Sequence, residues 1–285
     1  MIRFLGIRRE PLHSPHRESD DAMVLQAVAD ELALHGVQAR VLDVGPALEA
    51  LQPGSFDVVA PMCEALPVLR RLETFPQHEI FVNPPKAVLN CYRVRMVPLL
   101  ESCAPARFPR TEIRPVASRP SLPSFMDGKG CWVKRGDVHN TCDHDVVHIQ
   151  TLPDLGRVRE DFRDRGIEDM VLQEHVEGDL IKFYGVGPGK WFTWFYHDLG
   201  RARKYAFEIE QLEDQTSAGA RAVGLEVYGG DAIVTPQGSI HIIDINSWPS
   251  FARVRNEASV HIARHLLERV RELHKSVAYA AAEEG

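Results

Sequence analysis

The stretch from Gly229 to Phe251, GGDAIVTPQGSIHIIDINSWPSF, decides how the rest of this chain is read. It reads as two short strands joined by a turn at Pro236-Gln237-Gly238. The first strand carries Asp231, and the second ends in Asp244-Ile245-Asn246. Side chains alternate across a strand, so Asp244 and Asn246 share one face and Ile245 points to the other. Pairing the two strands brings Asp231 toward that face. Two carboxylates and an amide oxygen at one spot make a hard, oxygen-lined site of the kind that suits Mg2+. Paired acids at the exit of an apolar strand (Ile240, Ile242, Ile243) are costly to hold together without a cation. The plainer alternative is that Asp244 and Asn246 end a strand and cap a turn.

Around this hairpin lies a chain of 285 residues, long enough for one large or two to three small domains. Hydrophobic residues make up 44% and charged residues 26%, ordinary values for a globular protein. The net charge of −7 argues against a nucleic-acid binder that works by bulk charge. Local basic clusters at Arg8-Arg9, Arg93 with Arg95, Arg201 to Lys204, and Arg253 with Arg255 remain candidates for binding anions. Five cysteines, none in CxxC spacing, point away from a disulfide framework or a zinc ribbon and toward a reduced cytoplasmic setting. The N-terminal apolar run is too short for a signal peptide. No run approaches the ~18 apolar residues that a membrane span needs.

Periodicity organises the remainder. IRFLGI (2–7) predicts a buried strand. A helix over 20–35 follows, with Ser19 as its cap, Asp20 and Asp21 at its positive end and Gly36 as its stop. Strands are predicted at 37–44, 56–62 and 79–83, with a helix at 64–73. This alternation predicts a parallel α/β sheet in a first lobe ending near Pro85. The next segment reads as a helix over 88–102, a proline-rich linker around 115–124, and a strand at 130–135. An irregular polar stretch (136–145), a strand at 146–150, a helix at 153–165 and a strand at 169–176 complete it. The last segment reads as a hairpin of 180–187 and 191–197, a helix over 208–224, the opening hairpin, and a helix over 256–274. Ile262, Leu266, Val270 and Leu273 form the buried stripe of that helix, and the final residues, AAAEEG, are expected to fray.

Several further residues carry chemistry. Lys134, in the strand CWVKR, has apolar neighbours and an amine that needs an anion. A nucleotide phosphate would serve, and a snorkelling lysine is the alternative. Gln173 to Asp179 (QEHVEGD) leaves a strand and becomes a linker. Its free backbone groups could read an adenine edge, with an acid beyond for ribose hydroxyls; an ordinary polar loop is the other reading. Lys182 alternates with Ile181 and Phe183 and either faces the same site as Lys134 or lies on the surface. The spacing of His139, Cys142, His144 and His148 matches no recognised zinc geometry, so that stretch reads as a loop covering phosphates or touching substrate. P-loop, G-x-S-x-G and HExxH motifs are absent.

Taken in order, these features resemble the ATP-grasp superfamily. The matching pieces are VNPPKAVLNCYRVRM, WVKRG, VLQEHVEGD and GGD…IIDINSWPSF. The resemblance implies an α/β ATP-grasp fold of three subdomains, here 1–85, 86–172 and 173–285, with ATP between the last two. It implies that Arg93 and Lys134 contact the phosphates and that Gln173, Glu174 and Val176 line the adenine hinge. Asp179 falls at the ribose-binding acid. Asp231, Asp244 and Asn246 would hold Mg2+, with Mn2+ as the alternative cation. Lys182 matches a lysine of the inositol-phosphate kinase branch. Three departures stand out: GDVHNTCDHD replaces the glycine-rich flap, Asp244 replaces the commoner glutamate, and Trp248-Pro249-Ser250 replaces Pro-Gly.

The expected activity is an ADP-forming carboxylate–amine ligase that works through an acyl phosphate. Arg203, then Lys204, and Lys182 are the candidates at the transferring phosphoryl group. Arg8, Arg9, His139, Ser250, Arg253 and Arg255 are the candidates for binding a small, anionic substrate. No nucleic-acid or membrane partner is expected, and a homodimer is one allowed assembly. The alternatives are a small-molecule kinase of the inositol-phosphate type and an inactive nucleotide sensor.

Overall fold

A computed structural model describes residues 1–14, 18–75 and 80–283. Its first lobe is a parallel sheet of β1 (Arg3–Ile7), β2 (Gln38–Leu42), β3 (Val58–Pro61) and β4 (Ile80–Phe81), in the order β2-β1-β3-β4. Phe4 packs on one face, against α1 (Glu18–Leu34) and the final helix, α8 (Arg255–Glu283). Leu5 and Ile7 pack on the other, against α2 (Val44–Ala50) and α3 (Leu66–Leu72). A sheet buried on both faces needs apolar residues at successive positions, which RFLGI and VVAP provide.

The middle sheet orders β5 (Thr111–Pro115), β8 (Asp169–Glu174), β6 (Cys131–Arg135) and β7 (Val146–Ile149), all antiparallel. Cys131 and Val133 face a core that includes Leu155, Val158 and Phe162 of α6 (Leu152–Asp164). The alternate residues, Trp132 and Lys134, therefore face the other way. Thr151 caps α6 by accepting from the Asp154 N–H, and the Asp154 carboxylate accepts from the Thr151 N–H in return.

The last sheet orders β10 (Trp191–Tyr196), β9 (Asp179–Val186), β11 (Val227–Val234) and β12 (Ile240–Ser247), also antiparallel. Its Ile181, Phe183, Ile240, Ile242 and Ile245 pack with Leu212, Ala220 and Val223 of α7 (Ile209–Val223). Gly224 closes α7 in the left-handed conformation, where glycine carries no Cβ penalty.

Several boundaries differ from the sequence reading. Ser19 lies inside α1 rather than capping it. The single helix expected over 88–102 is two, α4 (Pro85–Asn90) and α5 (Arg93–Glu101), separated at Cys91-Tyr92. Helix α2 and strand β5, the latter abutting the proline-rich stretch, were not foreseen. Helix α8 continues to Glu283, and residues 284 and 285 of the expected frayed end lie outside the described residues. The expected boundary at 172/173 falls within β8.

Two connections hold the lobes together. Buried Asn83, just past β4, donates to the Val227 carbonyl and Ser247 Oγ and accepts from the Glu226 and Val227 N–H groups. Trp248, fully buried, donates its indole N–H to the Val82 carbonyl at 2.7 Å. Both tie the first lobe to the metal-candidate hairpin.

Candidate functional site

The hairpin closes in register, with Asp231 opposite Asp244 and Gly229 opposite Asn246. A bulge makes this arrangement work. Ala232 pairs with Ile242, so Ile243 is the extra residue between the two registers. Strict alternation would put Asp244 and Asn246 on the face of Ile240 and Ile242, which is core. The bulge turns Asp244 and Asn246 to the opposite face and sends Ile245 into the core. Gly230 is required beside it, since a Cβ there would sit 2.2 Å from the Asp244 carbonyl oxygen.

Asp231, Asp244 and Asn246 line a cavity of about 450 Å3. Lys182 on β9 pairs across the strand with Asp231, and its Nζ lies 2.6 Å from Asp231 Oδ1. Arg93, at the start of α5, is 2% exposed. It donates to the Arg135 carbonyl at 3.2 Å, to Asn140 Oδ1 at 2.9 Å and to Asp244 Oδ2 at 3.3 Å, and its buried Nε has no partner. His139 Nδ1 lies 3.5 Å from Asp244 Oδ2. The 136–145 stretch thus folds onto the site through Asn140 and His139. Lys134 Nζ donates to the carbonyl of the bulged Ile243 at 3.1 Å, bridging the middle and last sheets.

Burial dominates the electrostatics. It pushes the Lys134 amine down to about 8, with Asp244 opposing the shift. It pushes the His139 ring down to about 4, again against Asp244, so the ring is neutral at pH 7. Burial raises the Asp244 carboxyl, but Arg93, His139 and Lys134 together more than reverse this, and it stays ionised.

The donor set has the character that a hard cation requires. Asn246 Oδ1 is buried and has no hydrogen-bond partner. It faces the cavity beside two carboxylates whose present partners, Lys182, Arg93 and His139, are charges or dipoles that a divalent ion would displace. Among the described residues no group of three or more His, Cys, Asp or Glu gathers for a metal. An all-oxygen set of two acids and an amide fits Mg2+ rather than zinc. The His139, Cys142, His144 and His148 stretch accordingly covers the cavity through His139 and Cys142.

The structure brings together Arg9, Arg93, Lys134, His139, Lys182, Asp231, Asp244, Asn246 and Ser250, all of which line the cavity. It places the other candidates elsewhere. Gln173 is buried, with its amide 3.5 Å from Thr111 Oγ1. Glu174 is engaged by Arg110 at 2.5 and 3.0 Å, and Val176 lies outside the cavity. Asp179 is buried with both oxygens occupied, by the Arg203 N–H at 2.7 Å and the Tyr205 N–H at 3.0 Å. The Asp179 carboxylate therefore holds a loop rather than facing the cavity. The Arg203 and Lys204 side chains on that loop are exposed.

The arginines expected to bind an anion are each paired internally. Arg8 meets Asp43 at the surface, at 3.1 Å. Arg253 lies over the Phe195 ring, 4.4 Å from its centre. Arg255 meets Asp20 at 2.6 Å. Every nitrogen of Arg9 is engaged: it serves Asp21, Glu64 and the carbonyls of Met62, Ser247 and Trp248. Sequence reasoning passed over Asp21 as a helix-end charge, and did not consider Glu64, Ser14 or His13, although all four line the cavity. A signal existed for Glu64. It stands just beyond β3, at the carboxyl edge where open α/β sheets gather ligands.

No family model matches the chain, and no curated protein matches it. Solved structures do. D-cycloserine synthetase DcsG superposes with a TM-score of 0.67 at 14% identity, over 94% of this chain and 99% of that one. The D-alanine–D-alanine ligase of Bacillus anthracis, solved with ATP, gives 0.68 at 11% identity over 97% and 99%. The ATP-grasp ligase PsnB, solved with a precursor peptide and AMPPNP, gives 0.61 at 16% identity over 94% and 97%. At these identities the likeness is one of fold, and it extends over nearly the whole length of every chain compared. The chain has the ATP-grasp fold.

Proposed function

We propose that this protein is an ATP- and Mg2+-dependent carboxylate–amine ligase that releases ADP. The observation that carries the reading is the cavity between the lobes. There Asp231, Asp244 and the unpartnered Asn246 Oδ1 face Lys134, Arg93 and Lys182. The neighbours whose structures hold ATP or AMPPNP support a triphosphate at this place.

In the proposed reaction a substrate carboxylate attacks the γ-phosphorus in line, the bond from that phosphorus to the β-phosphate oxygen breaks, and ADP leaves. An amine then adds to the acyl carbon, phosphate departs and the nitrogen loses a proton. Mg2+, when bound, supplies charge neutralisation at the phosphates. Asp231, Asp244 and Asn246 would hold it. Lys134 and Arg93, both from the middle segment, would orient phosphate oxygens, and placing charges in advance is worth most where water is excluded. The 136–145 stretch folds over this end through Asn140 and His139. Of the cations considered for the transferring phosphoryl group, Lys182 lines the cavity and takes that role here, whereas Arg203 and Lys204 stand outside it. A kinase acting on a multiply phosphorylated substrate would need spare cations. The four in this cavity, among the described residues, are all engaged.

The test is ADP release with Mg-ATP across a panel of carboxylic acids, with and without amines. Phosphate release that requires both an acid and an amine supports the ligase. A phosphate ester as product, or ATP turnover indifferent to every acid, would overturn it.

A further inference from the structure

The first-lobe end of the cavity carries a charge pattern that the nucleotide reading does not use. Asp21, on α1, is 3% exposed, and its two oxygens are treated differently. Oδ2 accepts from Arg9 Nη1 at 2.7 Å and from Ser14 Oγ at 2.6 Å. Oδ1 is buried and has no hydrogen-bond partner. Glu64, 8% exposed, lines the same wall. The one contact of its carboxylate among the described residues is Oε1 with Arg9 Nε at 3.1 Å. His13, on the same side, has a buried Nδ1 without a partner.

One arginine, engaged at each of its nitrogens, is thus shared by two buried carboxylates. With both ionised, the wall carries, among the described residues, one uncompensated negative charge. A buried acceptor without a donor, and a buried charge without a counter-charge, both cost free energy until a partner arrives. Burial raises the Glu64 carboxyl to about 7 against the pull of Arg9, with Glu10, Asp21 and Asp244 adding smaller pushes in the same direction. Among the described residues an anion finds no free cation here, because Arg9 is occupied and Arg8, Arg253 and Arg255 are paired elsewhere.

We propose that this end of the cavity is the subsite for an ammonium group of the substrate, with Asp21 Oδ1 and Glu64 as acceptors and Arg9 as the residue that positions both. The inference rests on the ligase reading, in which the opposite end takes the nucleotide. An ammonium brings three donors and one positive charge, so it satisfies Oδ1 and balances the wall together. A hydroxyl would satisfy an oxygen and leave the charge, and a further carboxylate would add to it. The substrate class is therefore an amine-bearing acid, such as an α- or β-amino acid, rather than a simple or phosphorylated acid.

The test compares amino acids with their desamino counterparts (alanine with propionate, serine with 3-hydroxypropionate) at equal ionic strength. ADP release from Mg-ATP by the full chain is one readout, and the melting temperature of the nucleotide-free chain is the other. Amine members should stimulate turnover and raise the melting temperature, and their desamino partners should do neither. Asp21→Asn, which keeps the shape but not the charge, should raise the KM for the responding amino acid by about tenfold or more. It should leave AMPPNP affinity unchanged. Glu64→Gln should act in the same direction, which guards against a folding defect in the first variant. Desamino acids acting as well as amino acids would overturn the subsite. So would a wild type that binds AMPPNP but responds to no amine in either readout, or an unchanged KM in both variants. Absence of AMPPNP binding with amine stabilisation intact would instead strike the ligase reading alone.

Discussion

The two ends of the cavity hold their charges in opposite ways. At the hairpin end each carboxylate faces a cation or ring that a ligand can replace: Lys182 beside Asp231, and Arg93 and His139 beside Asp244. At the first-lobe end, Arg9 is committed to two carboxylates and three carbonyls that belong to both the first and last lobes. The same residue type is therefore the proposed ligand-facing group at one end and a structural pin at the other. What separates them is the number of N–H groups left over. Arg93 has a buried Nε without a partner, whereas every nitrogen of Arg9 is engaged.

Substitutions at each end should separate these roles. Asp244→Ala is expected to have the largest effect: a loss of Mg2+-dependent ATP turnover of at least about a hundredfold, by the measure of removing one preorganised charge from a dry site. ADP release measures it, and circular dichroism should find the fold retained. Turnover near wild type would break the comparison at its hairpin end.

Arg9→Ala should instead act on stability. Breaking a buried pair typically costs about 3–5 kcal/mol, which corresponds to a fall in Tm of about 10 °C for a chain of this size. A variant that melts like the wild type would show that Arg9 is no pin. Lys134→Ala should weaken AMPPNP binding by about tenfold or more, as loss of a partner for a buried phosphate charge does. Calorimetry reads this directly, and unchanged affinity would mean that the lysine serves only the Ile243 carbonyl.

Glu64→Gln sharpens the first-lobe end through pH. A carboxyl held at about 7 in the fold, against an unfolded value of 4.5, binds its proton more tightly when folded. Its contribution to stability is present below 4.5, declines as pH rises between the two values and is gone above 7. The glutamine variant should therefore melt higher than wild type at pH 8 and about level with it at pH 4.5. Equal differences at both pH values would remove the claim of an acid excess. Arg8→Ala should have the smallest effect. Its partner Asp43 is an exposed acid, and exposed pairs contribute about 0–1 kcal/mol, so Tm and turnover should stay close to wild type.

Much of the fold was legible because the local signals agree with one another. The first strand, the helices read at 153–165 and 208–224 and the apolar stripe of α8 each follow from residue spacing. Strand β5 was hidden because none of its residues is buried, its one large apolar residue, Ile113, is exposed, and proline-rich sequence follows it. The break between α4 and α5 was hidden because Cys91 and Tyr92 carry no helix-stop signature. Among the site candidates, alternation places Lys134, Lys182 and Asp231 on one strand face each, whereas the face of Asp244 and Asn246 depends on the bulge at Ile243, which alternation does not reveal. Asp179, Arg203 and the four anion-binding candidates among the arginines were not legible, since a charge looks the same in sequence whether its partner is a ligand or a neighbouring side chain.

Sequence alone determined that an acid and an acid–x–amide pair sit on two strands of one hairpin, because turn chemistry and strand period are local properties. Only the tertiary structure decided which way they face. Unbroken alternation from Ile240 would bury Asp244 against α7. The extra residue Ile243 reverses the phase, and Lys134 from the middle sheet holds the carbonyl that the bulge exposes. Whether a strand carries its acids into a core or into a cavity depends on this one-residue offset, and the contacts that fix it come from another sheet.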